Sequence, residues 1–405
     1  MYDKNERLNV ICLSNQLWDF PNWTNKRHVM SRLAAEGHNV LFIDPPINTG
    51  RVFLKQIQKG LWGLTRIISQ VHKDPTKAVI YTPLNIVPSP EVTSSLHVGR
   101  IRKLARKYLD KKLRTVLWVY HVQIPYLERY IKNIEHDILV YDCVDNYAGF
   151  PQNSSFYSSV VPKNKVLEQE KFVSEQAELV FASAPGLVEK LKQYNDKVYF
   201  TPNVGDYLKF SKTSEFKDNL PADLEKIPRP RIGFTGALDE YKFDAELVGK
   251  AAQDHPDYSF ILIGQMALKD REAGLHDLGL SGLKNVYFLG HKPYQTVEKY
   301  FAGFDVYIIP YQLNDYTVGG CFPVKFHDAL SAGLPTVVTN LPAYRPFADV
   351  AYISETYDDF SANIKKAVEE DNEAKVNART EVASKNTWEG KVETMLRYIR
   401  SVKRN

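Results

Sequence analysis

Short β-branched apolar runs alternate with stretches of helical spacing along the whole chain. In the first half the runs are 8–13, 40–43, 78–81, 115–119, 138–141, 179–182 and 198–201. Each is short, largely apolar and rich in β-branched residues, as strands buried on both faces are. Residues 26–36 and 163–176 carry helical periodicity between them. This alternation predicts a parallel sheet with crossover helices. Over 206–230 the pattern loosens into a charged, proline-punctuated stretch (PADLEKIPRPR), which predicts an interdomain connection. A second series of runs follows at 232–234, 258–263, 286–288, 306–309 and 336–339. Finally, 386–399 (NTWEGKVETMLRYI) reads as a capped amphipathic helix able to pack on either domain. A chain of 405 residues is long for one core. The expectation is α/β: two Rossmann-like, doubly wound domains, 1–205 and 231–383, facing a cleft, with 384–405 as a closing helix. Ligands then belong at the carboxyl ends of the strands.

Composition narrows the class. Hydrophobic residues make 44% and charged residues 25% of the chain, as in soluble globular proteins. No run approaches the roughly 18 apolar residues that a membrane span needs. The opening MYDKNERLN does not read as a signal peptide. Cys12, Cys143 and Cys321 have neither pairing nor metal spacing, so a reducing cytoplasm is expected, without zinc or disulfides. No Asp-x-Asp metal motif is present either, so no metal or cofactor is expected.

Charge changes the picture more than composition does. The net charge is only +4, yet residues 51–114 hold 14 basic against three acidic residues. Within 52–73, Phe53, Ile57, Leu61, Leu64, Ile68 and Val71 keep a helical period, with Lys55, Lys59, Arg66 and Lys73 between them. Gly60 and Gly63 weaken that helix. RIRKLARKYLDKKLR (100–114) repeats the theme through Arg102, Lys103, Arg106 and Lys107. Such helices suit an anionic membrane interface; equally, they are surface helices with their apolar faces in the core. Nucleic acid is set aside because no recognition module accompanies the charge.

Two stretches carry donor-type chemistry. Gly233-Phe234-Thr235-Gly236 closes a strand before a helix, where glycines let backbone amides approach a diphosphate. By itself, such a turn is often only a turn. GGCFPVKFHDALSAGLPTVVTN (319–340) reads as a loop with Gly319, Gly320 and Cys321, then a short helix from Pro323, then a strand. Lys325 can meet a phosphate, and Asp328, one turn on, can accept both hydroxyls of a ribose. The plain alternative is an ordinary i,i+3 surface pair. In the first half, VYDCVDNY places Asp142 and Asp145 at a strand's carboxyl end, where a carboxylate can act as general base. Asp145 is preferred; Asp142 is equally a loop-capping residue, and His121 is the rival base. Asn15, Trp18, Asp19 and Trp23 follow the first strand and could line the acceptor side, although tryptophans are more often core.

PVKFHDALSAGLPTVVT resembles the donor-binding signature of GT-B glycosyltransferases, in particular the retaining family 4 and bacterial polysaccharide transferases of teichuronic acid or capsule type. GFTGALDEYKFDAELV resembles that family's glycine turn, and NTWEGKVETMLRYI its closing helix. The resemblance implies a GT-B fold whose last helix crosses back to the N-terminal domain. It also implies a nucleotide-sugar donor, UDP-sugar favoured, and a lipid-linked or polysaccharide acceptor at the inner membrane leaflet. It places donor contacts at Gly233, Gly236, Lys242, Lys325 and Asp328. The chain departs from the family's usual pattern, two glutamates separated by seven residues: Gly320 holds the first position and Asp328 the second. The family's arginine is Ala237, and its lysine aligns with Lys242. A nucleotide-sugar epimerase, or a non-catalytic glycan- or lipid-binding subunit, are the alternatives on the same fold.

Overall fold

The computed structural model describes residues 6–20, 23–48, 70–85, 89–149, 161–265, 275–276 and 278–403. The chain divides into two compact units: Met1–Thr201 with Val392–Asn405, and Pro202–Lys391.

The first unit contains strands Asn9–Leu13 (β1), Asn39–Ile43 (β2), Ile47–Asn48 (β3), Val71–Lys73 (β4), Val79–Tyr81 (β5), Leu84–Asn85 (β6), Thr115–Val119 (β7), Ile138–Cys143 (β8), Leu179–Ala182 (β9) and Val198–Phe200 (β10). Eight of them form one sheet in the order β10-β9-β8-β7-β1-β2-β5-β4, while β3 and β6 pair separately. All eight run parallel except β4, which is antiparallel to β5. Central β1 is buried along its whole length, which explains the apolar run from Val10 to Leu13. The crossovers include helices Asn25–Ala35 (α1), Pro90–Tyr108 (α2), Leu127–Asn133 (α3), Lys163–Gln176 (α4) and Pro185–Lys192 (α5). Ser89 caps α2 by accepting from the Val92 N–H, and Pro90 stands at its first turn.

Two expectations change here. The amphipathic segment 52–73, with Lys55, Lys59 and Arg66, lies outside the described residues up to 69. Its described end, Val71–Lys73, is not a helical turn but β4. Those residues pair with Tyr81, Ile80 and Val79, and the ladder overrides the helical spacing. The basic segment 100–114 is helical only to Tyr108.

The second unit contains Arg231–Thr235 (β11), Ser259–Ile263 (β12), Val286–Gly290 (β13), Val306–Ile309 (β14), Thr336–Thr339 (β15) and Tyr352–Ser354 (β16). They form an all-parallel sheet in the order β13-β12-β11-β14-β15-β16. That order reverses between β11 and β14, the switch point at which doubly wound sheets bind ligands. Its helices are Tyr207–Phe210 (α6), Ala222–Glu225 (α7), Ala245–Asp254 (α8), Glu298–Phe301 (α9), Asp315–Gly320 (α10), Lys325–Ser331 (α11), Tyr357–Glu369 (α12), Glu373–Lys385 (α13) and Trp388–Ser401 (α14).

Residues 206–230 are not a free connection. Phe210, Leu224 and Ile227 are buried in the core of the second unit, so the charged residues between them mark exposed faces of short helices. The last helix, α14, continues into the first unit from Val392. There Tyr398 packs 4.0 Å from Tyr199, and Arg400 donates to the Glu6 carbonyl at 3.0 Å.

Candidate functional site

At the switch point of the second sheet, β11 ends in Thr235 and turns at Gly236. The Gly236 N–H donates to the Ile263 carbonyl at 2.8 Å. Gly264, just after β12, lies against this turn so closely that an added Cβ would stand 1.6 Å from the Gly236 carbonyl oxygen. An added Cβ on Gly236 would stand 2.0 Å from the Lys325 Nζ. The two glycines therefore let the strand ends close up beneath the Lys325 ammonium.

That ammonium lies 4.6 Å from the Phe234 ring centre and 5.3 Å from the Tyr311 ring centre. Aromatic faces attract a cation but hydrate it poorly. Burial, and then the nearby Lys242 charge, push the Lys325 pKa down to about 7. Lys242 ends a turn by donating its N–H to Asp239, and its ammonium lies 4.9 Å from the Tyr316 ring. Two mutually repelling ammonium groups at a strand-end switch point favour an anion between or beside them.

Asp328 sits one turn along α11 from Lys325. It is only 7% exposed, which rules out an ordinary surface pair. Its Oδ1 accepts from the Asp206 N–H at 2.8 Å, and among the described residues no further donor reaches the carboxylate. Burial raises its pKa to about 8, opposed by that hydrogen bond and by Lys325. A carboxylate held by one oxygen, with the other directed to incoming hydroxyls, can accept from a diol.

Other donor candidates fall elsewhere. Gly233 lies within β11, where an added Cβ would meet the Phe304 ring at 2.3 Å; it is a packing glycine. Gly319 and Gly320 are not in a loop but end α10, whose start Asn314 caps with a capping box. Cys321 is the half-buried residue closing that helix, and its thiol lies near enough to Lys325 to favour the charged amine. The following helix starts at Lys325, not Pro323, because Pro323 and Val324 form a preceding turn that accepts from Phe326 and His327.

In the first unit the candidates gather at the carboxyl edges of β1, β7 and β8. Asp145 follows β8 and is half-buried. Asp142 belongs to β8 itself, not to a loop. It accepts from the Trp118 indole N–H at 3.2 Å and is 1% exposed. His121 is 1% exposed and accepts from the Gln123 N–H at 3.3 Å. Burial, then the Lys26 charge, pull its pKa down to about 3, which makes it a weak base.

Asn15 lies beside the buried Tyr147 hydroxyl. Trp18 belongs to the core and does not line an acceptor surface: it is 1% exposed, edge-on to Phe42, and its indole N–H donates to Asp74 at 2.8 Å. Trp23 has a ring face covered by the Arg27 guanidinium at 4.3 Å. Asp19 stands 3.9 Å from His72.

Comparison with known proteins bears on this geometry. Residues 229–370, which contain the whole Lys242–Lys325–Asp328 arrangement, match the family described as glycosyl transferases group 1. TuaH of Bacillus subtilis (strain 168), provisionally named a teichuronic acid biosynthesis glycosyltransferase, is 28% identical over 211 residues; the alignment covers 51% of each chain. The chain thus spans about half the length of this curated relative. Among solved structures, sucrose-phosphate synthase from Thermosynechococcus elongatus superposes with a TM-score of 0.68 at 14% identity, covering 97% of this chain and 98% of its own. Anabaena HepE in complex with UDP-glucose gives 0.66 at 12% identity, covering 98% and 100%. The fold is GT-B.

Sequence reasoning missed Gly264, Asp206 and the Tyr307–Thr235 pair, whose hydroxyls lie 2.6 Å apart at the end of β11. Gly264 had a usable signal: it follows its strand as Gly236 follows β11. Asp206 had none, because its partner lies 122 residues away.

Proposed function

We propose that the protein is a glycosyltransferase that moves a sugar from a nucleotide-sugar donor, UDP-sugar favoured, to a lipid-linked or polysaccharide acceptor of the cell surface. The observation that carries this reading is Asp328, buried and pinned by one oxygen, one turn from Lys325 at the β11–β14 switch point. The diphosphate is neutralised by Lys242 and Lys325, and the ribose diol is held by Asp328. Gly236 and Gly264 leave room for the phosphates, and Cys321 borders them. Asp145 is the general base for the acceptor hydroxyl, with Asn15 and Asp19 on the acceptor side. Complexes of HepE with UDP-glucose support the donor class, and the name of TuaH supports a wall-polysaccharide acceptor.

An anionic membrane surface is the proposed docking partner. No helix of the described residues is long and apolar enough to cross a membrane. On α2, Val92 and Leu96 are 47% and 58% exposed, and Lys103, Arg106 and Lys107 continue the same outward stripe. An apolar-then-cationic line of this kind suits an interface of acyl chains and anionic headgroups. Among the described residues, Arg102 and Arg106 pair with the exposed Glu135, at 3.3 and 3.7 Å.

The test is calorimetric titration with UDP, followed by transfer of labelled sugar from a panel of UDP-sugars to a membrane lipid extract. Saturable UDP binding and acceptor-dependent release of UDP are expected. Turnover without acceptor would instead indicate an epimerase, and binding without turnover a non-catalytic subunit.

A further inference from the structure

Residues 203–206 lie across the start of α11. The Asn203 amide donates to the Phe322 carbonyl at 2.5 Å, just ahead of the helix. Gly205 brings its backbone so near that an added Cβ would stand 2.7 Å from the His327 carbonyl carbon and 2.9 Å from the Asp328 nitrogen. Only glycine allows that approach. Its N–H donates to the Asn386 carbonyl at 3.1 Å, and it bridges Thr387. Asp206 then donates its N–H to Asp328 Oδ1 at 2.8 Å, while its own carboxylate accepts from the Tyr294 hydroxyl at 2.7 Å.

We infer that residues 203–206 are a positioning strap, in which the Asp206 N–H aims the Asp328 carboxylate and the Asp206 charge controls its ionisation. This rests on the nucleotide-sugar reading and adds positioning residues to it. A side chain near the start of a seven-residue helix keeps several rotamers. Tying Oδ1 to a backbone N–H selects one of them, so Oδ2 points in a defined direction before any diol arrives. Burial first, and then repulsion between the two carboxylates, favour a proton on Asp328, against the opposing pull of the Asp206 N–H bond.

The other charged or titratable groups around Asp328 are accounted for. Lys325 lies on its own helix. Lys209 on α6 is paired with Glu298 at 2.6 Å, and Tyr307 on β14 bonds Thr235. Arg379 on α13 is engaged by the Gly333 carbonyl and by Asp371. Asp206 is therefore the acidic neighbour that can be altered without removing a ligand contact.

The experiment is UDP titration of the full chain between about pH 5 and 9. Asp206→Asn keeps the N–H and an acceptor for Tyr294 but removes the charge. The expected result is that the alkaline limb of UDP affinity belonging to Asp328 moves to lower pH, with several-fold tighter binding near neutrality. Gly205→Ala is expected to lift the strap and weaken UDP binding about tenfold, with affinity unchanged in its pH dependence from the lysines. If Asp206→Asn and the unmodified protein give superimposable pH profiles while both bind UDP, the strap inference fails alone. If the unmodified protein does not bind UDP, or Asp328→Ala binds it equally well, the donor reading fails and the strap's role goes with it.

Discussion

At the carboxyl edge of the second sheet, Lys325 rests on two aromatic faces beside another ammonium, and Asp328 keeps a single hydrogen bond. At the same edge of the first sheet, the buried Asp44 carboxylate is matched at both oxygens within the protein. Asp44 accepts from the Trp18 N–H and the Thr82 hydroxyl, both at 2.7 Å, and Asp142 accepts from Trp118. Burial alone does not distinguish the two edges, since it also raises the Asp44 pKa to about 7. What separates Asp44 from Asp328 is whether desolvation is repaid inside the fold. Matched groups hold loops to strands, whereas undermatched groups leave interaction energy for a ligand.

This contrast can be broken in several ways, the largest effect first. Trp18→Ala is expected to destabilise the protein by about 3–5 kcal/mol, because it empties a core site and removes the indole donor from Asp74 Oδ2. UDP affinity of the folded fraction should not change; a parallel loss measured by calorimetry would show that the first edge also serves the donor.

Asp328→Ala should weaken UDP binding about tenfold to a hundredfold through loss of charge-assisted hydrogen bonds to the ribose. Asp142→Ala, the matching change in the first unit, should leave that affinity alone.

The pH dependence of thermal stability sharpens the comparison further. Asp328 has a folded pKa of about 8 against an ordinary 3.8, so the folded state keeps a proton that the unfolded chain loses. Its contribution is therefore present in acid and is lost as pH rises through about 8. Lys325, depressed to about 7 from 10.5, acts in the other direction, and its contribution grows as pH rises from about 7 toward 10.5. Melting curves of Asp328→Asn should lose the decline between pH 4 and 8, and those of Lys325→Met the rise above 7.

The smallest effect on folding is expected from replacing Lys103, Arg106 and Lys107 with Gln, within about 0.5 kcal/mol for such exposed sites. Sedimentation with anionic vesicles should nevertheless fall sharply. Unchanged co-sedimentation would remove α2 from the membrane surface.

Much of the fold was legible because parallel strands buried on both faces must be apolar along their length. Runs such as 115–119, 179–182 and 336–339 coincide with β7, β9 and β15 for that reason. The three-residue β16 and the paired edge strand β4 escaped, since so few residues show no period. Helix α10 escaped because its glycines suggested a loop, while its stability comes from the Asn314 capping box. At the site, Lys325 and Asp328 were legible from type and spacing. Residue type left Trp18 open between the acceptor side and the core, because it does not reveal which ring faces are covered.

Local sequence determined the alternating α/β architecture, the turn glycine at 236 and the pairing of an ammonium with a carboxylate one helical turn apart. These depend on neighbours within a few residues, through strand burial, φ freedom and helical spacing. Only the tertiary structure decided that Asp328 is buried and tied to Asp206, that Gly264 meets Gly236, and that residues 206–230 belong to a core. Each of those contacts joins segments distant in sequence, and desolvation and hydrogen bonding act through space without leaving a periodic mark on the chain.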